Sequence, residues 1–222
     1  MSKPLNMDEH KVMMVIPALN EEKTIASVIA NVKGYVGVVI VIDDGSTDKT
    51  ACYAKQQGAV VLSHNENYGY DKSIDDGFNL AAQIGATILV TFDADGQHHP
   101  GDIPTILEPI ITGTADIVVG KRPYHARIAE YLFAFVGKFK AGIDDPLCGL
   151  KAYSIKVYND VGHFDTMKSI GTQLMFEAGK RGYRITQRDI TLNSRHDEPR
   201  FGTRLIANWK IFKAILKILV AG

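Results

Sequence analysis

Short apolar runs alternate with segments of helical periodicity through the first 120 residues, and this alternation limits the chain to few architectures. The apolar runs are predicted to be buried strands. They lie at residues 12–16, 38–42, 59–62, 87–92 and 117–120. Strands that alternate with helices over short connections form a mostly parallel sheet with helices on both faces. The sequence therefore predicts an α/β fold.

Two helices are predicted between the first three strands. Apolar residues in 25–32 follow the i, i+3, i+4, i+7 spacing of an amphipathic helix, and Asn20 is a candidate for its cap. A second helix is expected to end near Gln57, with Ser46 or Thr47 as its cap. Further along the chain, the pattern predicts helices at 74–81, 127–140, 171–180 and 205–220 and a strand at 147–153.

The composition favours one globular domain without a disulfide framework. The 222 residues are enough for one domain with a substantial core and few for two. Lys plus Arg equals Asp plus Glu at 25 each, so the protein has no net positive charge that would favour binding to nucleic acid. Two cysteines, no signal-peptide pattern and no apolar stretch of membrane-spanning length predict a reduced, cytoplasmic setting.

Polar clusters follow three of the predicted strands. Residues 17–22 (PALNEE), 43–48 (DDGSTD) and 93–98 (DADGQH) each come directly after an apolar run. The carboxyl ends of parallel strands form the ligand-binding edge of an open sheet, so these loops are expected to converge. The first loop lacks the glycine-rich turn of a dinucleotide-binding fold, which argues against a dehydrogenase.

Asp93 and Asp95 form a D-x-D pair suited to a divalent metal. Carboxylate oxygens two residues apart on a loop can bind one Mg²⁺ or Mn²⁺ that keeps water and phosphate oxygens as its other ligands. A single D-x-D also arises by chance, and its position after a buried strand is what favours function. Asp44 can similarly serve a turn or bind a nucleotide.

These motifs together resemble glycosyltransferase family 2. The resemblance rests on residues 17–21, 41–48 and 93–97, whose order and spacing match the family across residues 12–120. It implies the GT-A fold, inversion at the anomeric carbon, a nucleotide-diphosphate sugar as donor and a Mg²⁺ or Mn²⁺ cofactor. Gln97 and residues 145–150 (DPLCGL) are similar to the polyprenyl-phosphate sugar synthase branch, which includes the dolichyl-phosphate mannose synthases.

The resemblance also implies roles for individual residues. Pro17, Asn20, Glu21 and Asp44 would bind the base and ribose; Asp93, Ala94 and Asp95 would lie at the donor diphosphate; Asp93, Asp95 and Gln97 would surround the metal; Lys121, Arg122, Arg195 and Arg200 would bind phosphate. Relatives often carry a Gly- and Ala-rich stretch after the third strand, whereas this chain has NYGYDK at 67–72. The larger side chains leave the base identity open, and Lys72 is either a phosphate ligand or a surface lysine.

The acceptor determines whether a general base is needed. A hydroxyl acceptor requires one, and Asp144 and Asp145 are the candidates, although Asp145-Pro146 also fits a turn. A phosphate acceptor is already anionic, so the metal and basic groups such as Arg122 would supply the catalysis. Polyprenyl phosphate is the favoured acceptor. A glycan or lipopolysaccharide hydroxyl, or an inactive nucleotide-binding protein, are the alternatives.

The C-terminal segment is basic. Residues 195–222 contain six Lys or Arg and two Asp or Glu, a net charge of +4 in a neutral protein. In the helix at 205–220, Lys210, Lys213 and Lys217 share one face, and Leu205, Trp209, Phe212 and Leu216 share another. The helix is therefore expected either to contact the cytoplasmic face of an anionic membrane or to pack its apolar stripe on the core.

We expect one domain over residues 1–222. In it, residues 12–120 bind the nucleotide sugar, residues 121–204 form the acceptor side and residues 205–220 form the amphipathic helix. His98 or His99 can join the metal site or serve only the loop, and both alternatives remain open. Cys148 is expected to be a buried small residue.

Overall fold

The computed structural model describes residues 10–124, 128–193 and 204–220. Within these ranges the chain forms a seven-stranded sheet covered by eight α-helices. The strands are β1 Val12–Ala18, β2 Val38–Asp43, β3 Val60–Ser63, β4 Ile88–Thr91, β5 Ile117–Lys121, β6 Lys151–Ser154 and β7 Ile185–Asp189. The five strands predicted from apolar runs are present, with small shifts at their ends.

The sheet order is β3-β2-β1-β4-β6-β5-β7. Strands β1, β2, β3 and β4 are parallel, β6 runs antiparallel to both of its neighbours, and β5 pairs with β7 in parallel. In the register at the centre, Val15 lies between Ile40 and Thr91. The prediction of a mostly parallel α/β sheet is confirmed. Loops after β1, β2 and β4 leave the sheet at one edge.

The helices cover both faces of this sheet. They are α1 Ile25–Val32, α2 Thr50–Gln56, α3 Tyr70–Gln83, α4 Ile103–Ile111, α5 Ile128–Ala141, α6 Ile155–Val161, α7 Gln173–Lys180 and α8 Arg204–Val220. All four apolar positions of the predicted α1 stripe are buried. Helix α3 approaches the sheet closely because Gly77 lies against Val15, where a Cβ would come within 2.2 Å of a methyl carbon. The sequence patterns did not predict α4, α6 or β7.

Both proposed helix caps are wrong. Helix α1 begins at Ile25 after Thr24, and Asn20 lies upstream of it. Helix α2 begins at Thr50 rather than after Ser46 or Thr47, and the carboxylate of Asp48 accepts the backbone N–H of Thr50 at 2.9 Å. The side chains of Asn20 and Ser46 instead form hydrogen bonds between the loop after β1 and the loop after β2.

The strand predicted at 147–153 begins only at Lys151. Residues 147–149 instead pass in front of the loop that follows β4, where the backbone carbonyl of Gly149 accepts the hydroxyl of Thr91 at 2.6 Å. The apolar character of Leu147 and Cys148 suggested a strand, but these residues line a cavity. Burial raises the pKa of the Cys148 thiol to about 12, which agrees with its expected role as a buried small residue.

Helix α8 does not pack on the core through its aromatic stripe, so that one of the two alternatives offered by the sequence is wrong. Ile211, Ala214, Ile215 and Ile218 are buried. Trp209, Phe212 and Leu216 are 58%, 39% and 46% exposed, so the aromatic stripe points to solvent. Helix α8 has a lysine face and two apolar stripes, and only one of these stripes can be buried. The stripe that contains the isoleucines is the buried one, and α8 packs against α5. Among the described residues, no helix is long and apolar enough to cross a bilayer.

Candidate active site

The loops after β1 and β2 are joined by hydrogen bonds. Asn20 has a left-handed backbone (φ 53°), which asparagine tolerates better than most residues. Its side-chain oxygen accepts the N–H of Thr47 at 2.9 Å, and its own N–H donates to Ser46 Oγ at 2.9 Å. The N–H of Glu21 donates to Thr50 Oγ1 at 2.7 Å. These bonds fix the edge of the cavity wall to which Pro17 and Glu21 contribute.

Asp44 anchors the start of α3. One carboxylate oxygen contacts His64 Nδ1 at 2.7 Å and accepts the N–H of Tyr68 at 2.8 Å, and the other accepts the N–H of Gly69 at 2.8 Å. The second ring nitrogen of His64 lies 3.1 Å from Asp76, which also pairs with Lys72 one helical turn earlier. Asp44 therefore holds the segment after β3 in place, and Asp44 itself also lines the cavity.

The loop after β4 brings the D-x-D pair to the cavity. His98 Nε2 lies 3.0 Å from Asp93 Oδ2, and Asp95 Oδ1 accepts the N–H of Gln97 at 3.0 Å. Burial would raise the pKa of Asp93, but the hydrogen bond and the charge of His98 hold it below its ordinary value. Asp93 is therefore an anion at neutral pH. His99 instead accepts the N–H of Gly101 and caps a short 3₁₀ turn at Pro100–Asp102.

Gly149 allows the chain to pass directly in front of Asp93. A Cβ at position 149 would lie 2.1 Å from Asp93 Oδ2 and 2.6 Å from its Cγ, which no side chain can satisfy without movement. The segment that precedes β6 is thus shaped around this carboxylate. Sequence reasoning noted Gly149 only as part of a motif.

Arg122 is held over the cavity by two buried acids. Its Nε and Nη2 donate to the two oxygens of Asp145 at 2.7 and 2.8 Å, and Nη2 also lies 3.3 Å from Glu130. Burial alone would lower the pKa of Arg122, but its bonds to Asp145 raise it above the ordinary value. Both oxygens of Asp145 are engaged by this bidentate pair, which fixes the guanidinium plane.

Asp144 makes its contacts away from the cavity. It accepts Lys121 Nζ at 2.9 Å and the side-chain amide of Gln187 at 2.9 Å. These two bonds lower its pKa to about 2. Asp144 and Lys121 therefore form a partly exposed ion pair near the end of β5.

A strained loop at residues 165–172 forms another wall. Lys168 and Ile170 have left-handed backbones (φ 56° and 59°), and for a β-branched residue this conformation is costly. Asp165 stabilises the loop, since its buried carboxylate accepts N–H groups from Met167, Ser169, Gly171 and Thr172. The loop presents Lys168 and Ile170 to the cavity.

All of these segments surround one cavity of about 730 Å³. Its lining carries both signs of charge. Carboxylates from the first half of the chain line it, namely Glu21, Asp44, Asp71, Asp93 and Asp95, and we call this set the acidic end. Cationic side chains line it as well, namely Arg122, Lys151, Lys168, Lys210, Lys213 and Lys217, and we call this set the basic end. The two sets meet near Asp93, whose pKa the charges of Arg122 and Lys151 help to lower, and Glu130, which binds Arg122, also lines the cavity. Such a cavity can hold a metal-bound anion together with a second anion.

The structure brings together most of the predicted site residues. Pro17, Glu21, Asp44, Asp93, Ala94, Asp95, Gln97 and Arg122 line the cavity. Asn20, Lys72, Lys121, Asp144 and Asp145 are not among the described residues that line it. Arg195 and Arg200 lie outside the described residues.

Several cavity residues carry no sequence signal for this site. Tyr70, Asp71, Lys151, Lys168 and Ile170 come from segments that match no ligand-binding pattern. The three lysines of α8 were recognised as one helical face, but only the packing of α8 shows that this face meets the cavity. For Tyr70 and Asp71, the only indication in the sequence was that larger side chains stand where relatives often have Gly and Ala.

The donor set at Asp93 fits a hard divalent cation. In the described part of the chain, no three carboxylate, imidazole or thiol groups converge as in a closed metal site. Two carboxylates and the amide of Gln97 would instead hold Mg²⁺ or Mn²⁺ with ligands left for phosphate oxygens, as is usual for metals that act on nucleotides.

Comparison with known sequences identifies relatives along nearly the whole chain. The sequence profile of Glycosyl transferase family 2 matches residues 13–129, slightly more than half of the chain. An uncharacterised protein of Methanocaldococcus jannaschii is 32% identical over 96% of this chain and 93% of that protein. The UDP-N-acetylglucosamine–dolichyl-phosphate N-acetylglucosaminyltransferase of Methanococcus voltae is 28% identical over 96% of this chain and 97% of that enzyme. The resemblance to the polyprenyl-phosphate branch is thereby confirmed.

The fold matches solved glycosyltransferase structures. Glucosyl-3-phosphoglycerate synthase from Mycobacterium tuberculosis, solved in complex with Mn²⁺ and UDP-glucose, superimposes with a TM-score of 0.77 at 23% identity. The match covers 96% of this chain and 80% of that one. The predicted GT-A fold is confirmed.

Proposed function

The chain belongs to glycosyl transferase family 2, and from this premise we propose that it transfers a hexose from a GDP- or UDP-linked donor to a polyprenyl phosphate with inversion. One observation carries the proposal: five carboxylates from the first half of the chain and six cationic side chains line a single cavity. On this proposal, residues 12–120 serve the donor and residues 121–204 with α8 serve the acceptor.

The acidic end suits the donor. Asp93, Asp95 and Gln97 would hold Mg²⁺ or Mn²⁺, which neutralises charge on the departing diphosphate. Pro17, Glu21 and Asp44 would form the base and ribose pocket. Uridine is the first base to test, because the 28% identical Methanococcus relative is named for a UDP-linked donor.

The basic end suits an anionic acceptor. Lys168 and Lys213 approach the cavity from the strained loop and from α8, and Lys217 Nζ donates to the carbonyl of Met167 at 2.5 Å, which joins these two elements. A phosphate oxygen would attack the anomeric carbon while the bond from that carbon to the nucleoside diphosphate breaks. The acceptor needs no deprotonation, so no general base is required.

The positions of Asp144 and Asp145 support this choice of acceptor. Both oxygens of Asp145 bind Arg122, and Asp144 binds Lys121 and Gln187. We therefore propose that Asp145 orients Arg122 toward a phosphate rather than removing a proton.

An apolar surface next to the basic end suits a lipid-linked acceptor. Side chains on α5 and α8, which pack against each other, are exposed: Tyr131, Leu132, Phe135, Phe139, Trp209, Phe212, Leu216 and Leu219. Phe135 and Phe139 are 71% and 87% exposed. Aromatic residues beside lysines are typical of surfaces that bind the interface of an anionic membrane. We propose that this surface makes a peripheral membrane contact and that the chain works at the cytoplasmic face.

Transfer assays test the proposed function. Radiolabelled UDP-N-acetylglucosamine, UDP-glucose and GDP-mannose are each incubated with the protein, Mn²⁺ and dolichyl or undecaprenyl phosphate in vesicles. We expect organic-extractable label from one donor, lost with EDTA. Label found only on free sugar would indicate hydrolysis without this acceptor. Neither product from any donor would favour an inactive nucleotide-binding protein.

A further inference from the structure

His98 and His99 follow the D-x-D pair closely, and the structure gives them different partners. His98 is 4% exposed and its Nε2 lies 3.0 Å from Asp93 Oδ2, whereas His99 caps the 3₁₀ turn that follows. We propose that His98 is a positioning residue, which does not bind the donor metal but fixes the carboxylate of Asp93 so that its other oxygen can bind the metal. This inference rests on the proposed function, because it presupposes a metal at Asp93 and Asp95.

Neither ring nitrogen of His98 is available as a metal ligand. Nε2 faces Asp93, and an ionised carboxylate can only accept a hydrogen bond, so the ring carries a proton at Nε2. Nδ1 is inaccessible to solvent, and no hydrogen-bond partner for it lies among the described residues. The ring can therefore act on the metal only through Asp93.

Asp93 keeps one oxygen for a ligand. Its side chain is 34% exposed and lines the cavity, and Oδ1 accepts no hydrogen bond from the described part of the chain. The backbone of Gly149 passes so close that an added Cβ would come within 2.1 Å of Oδ2. A carboxylate that is held by a hydrogen bond at one oxygen and by the adjacent backbone has little freedom to rotate. Its second oxygen is therefore preset for a cation.

The protein also holds the ring of His98 in place. The ring meets Phe92 edge-on, with 5.4 Å between the ring centroids. The backbone of His98 forms an antiparallel bridge with Leu192, and the N–H of Asn193 donates to the carbonyl of Gln97 at 2.8 Å. The segment after β7 is thus bonded to the loop that carries His98. These contacts preorganise the Nε2–H donor for Asp93.

The metal requirement of nucleotide binding tests the proposal without a turnover assay. Calorimetry measures the Kd of UDP and of GDP at a series of Mn²⁺ concentrations for the wild type, His98→Leu and His98→Gln. The Mn²⁺ concentration that gives half of the full gain in nucleotide affinity reports the metal affinity. We expect this concentration to rise about 10- to 100-fold in His98→Leu, which loses the donor. His98→Gln should stay within about threefold of the wild type, because its amide can donate from the position of Nε2.

A neighbouring histidine supplies the matched control. His99→Gln makes the same change one residue further along the chain and should leave the metal requirement unaltered, because His99 contacts the 3₁₀ turn instead of Asp93. An unaltered requirement in His98→Leu would overturn the proposal. Equal weakening in His98→Leu and His98→Gln would assign the effect to ring packing and would overturn it as well. If Mn²⁺ does not strengthen nucleotide binding to the wild type, the donor metal of the proposed function fails, and this inference fails with it.

NMR of the histidine ring nitrogens in the folded wild type provides a second test that needs no variant. With Mg²⁺ and the preferred nucleotide bound, the proposal predicts that His98 keeps its proton on Nε2. With Cd²⁺ in place of Mg²⁺, neither ring nitrogen should show scalar coupling to the metal. Such a coupling, or loss of the Nε2 proton, would show that His98 binds the metal directly and would overturn the proposal.

Discussion

The acidic and basic ends of the cavity are assembled in different ways. Most of the acidic end follows directly from strands β1, β2 and β4, so each carboxylate is placed by the strand before it. The basic end combines Arg122 after β5, Lys151 in β6, the strained loop and one face of α8. Local sequence thus determines the acidic end, whereas long-range packing determines the basic end.

The two ends also differ in how firmly the protein holds their charges. Asp44 accepts three hydrogen bonds from the segment after β3, and Asp93 is bonded to His98. In the basic end, Asp145 and Glu130 hold Arg122, and the carbonyls of Gly171 and Met167 accept hydrogen bonds from Lys151 and Lys217. By contrast, Lys168 and Lys213 are exposed side chains at the cavity wall, and these two can adjust more easily to a ligand.

Gly149→Ala would break the acidic end most severely. The new methyl would meet Asp93 Oδ2 at 2.1 Å, so the carboxylate must move. We expect turnover to fall about 100-fold, because displacements of that size disturb catalytic geometry. Gly34→Ala is the matched control, since nothing lies within 4 Å of its added Cβ. Turnover within threefold of the wild type in Gly149→Ala would show that Asp93 need not stay where the structure places it.

Removing two charges tests the basic end alone. Lys168→Asn keeps a residue that tolerates the left-handed backbone, and Lys213→Gln keeps helical propensity. The double variant should raise KM for the lipid phosphate about tenfold, mostly at low salt, and leave nucleotide Kd unchanged. Lys156→Gln on α6 serves as the control. A change in nucleotide affinity instead would mean that the two ends are not separate sites.

Asp71→Asn should stabilise the protein in a pH-dependent way. The folded-state pKa of about 7 exceeds the ordinary 3.8, so folding takes up a proton between these values and stability falls as pH rises through them. At pH 8 the variant avoids this cost and should be more stable by about 1–3 kcal/mol, with little gain at pH 4. Thermal unfolding at both pH values measures the difference. Equal stability at pH 8 would show that Asp71 is not strained by burial.

The parallel strands and the D-x-D site could be predicted because each depends on a short segment. Apolar runs determined β1 to β5, and motif order placed Asp93 and Asp95 at the correct edge. Strand β7 carries a polar sequence, ITQRD, on the edge of the sheet, so no apolar run marks it. Helix α8 has apolar residues on two faces, and only its contact with α5 decides which face is buried.

The contacts of Asp71, Lys151 and Asp145 could not be predicted from the sequence, for a related reason. Each depends on a partner far along the chain: Asp71 on the strained loop, Lys151 on Gly171 and Asp145 on Arg122. Asp144 and Asp145 look alike as adjacent carboxylates. The fold pairs Asp145 with the guanidinium of Arg122, whose side chain is 18% exposed, and Asp144 with Lys121, whose side chain is 39% exposed.

Metal-dependent nucleotide binding tests the central claim most directly. Thermal unfolding of the wild type and Asp93→Asn is followed with UDP or GDP, each with and without Mn²⁺. We predict that one nucleotide raises the Tm of the wild type by several degrees only when Mn²⁺ is present, and that Asp93→Asn loses this shift. A shift that is independent of Mn²⁺, or that survives in Asp93→Asn, would contradict the assignment of Asp93 to the donor metal.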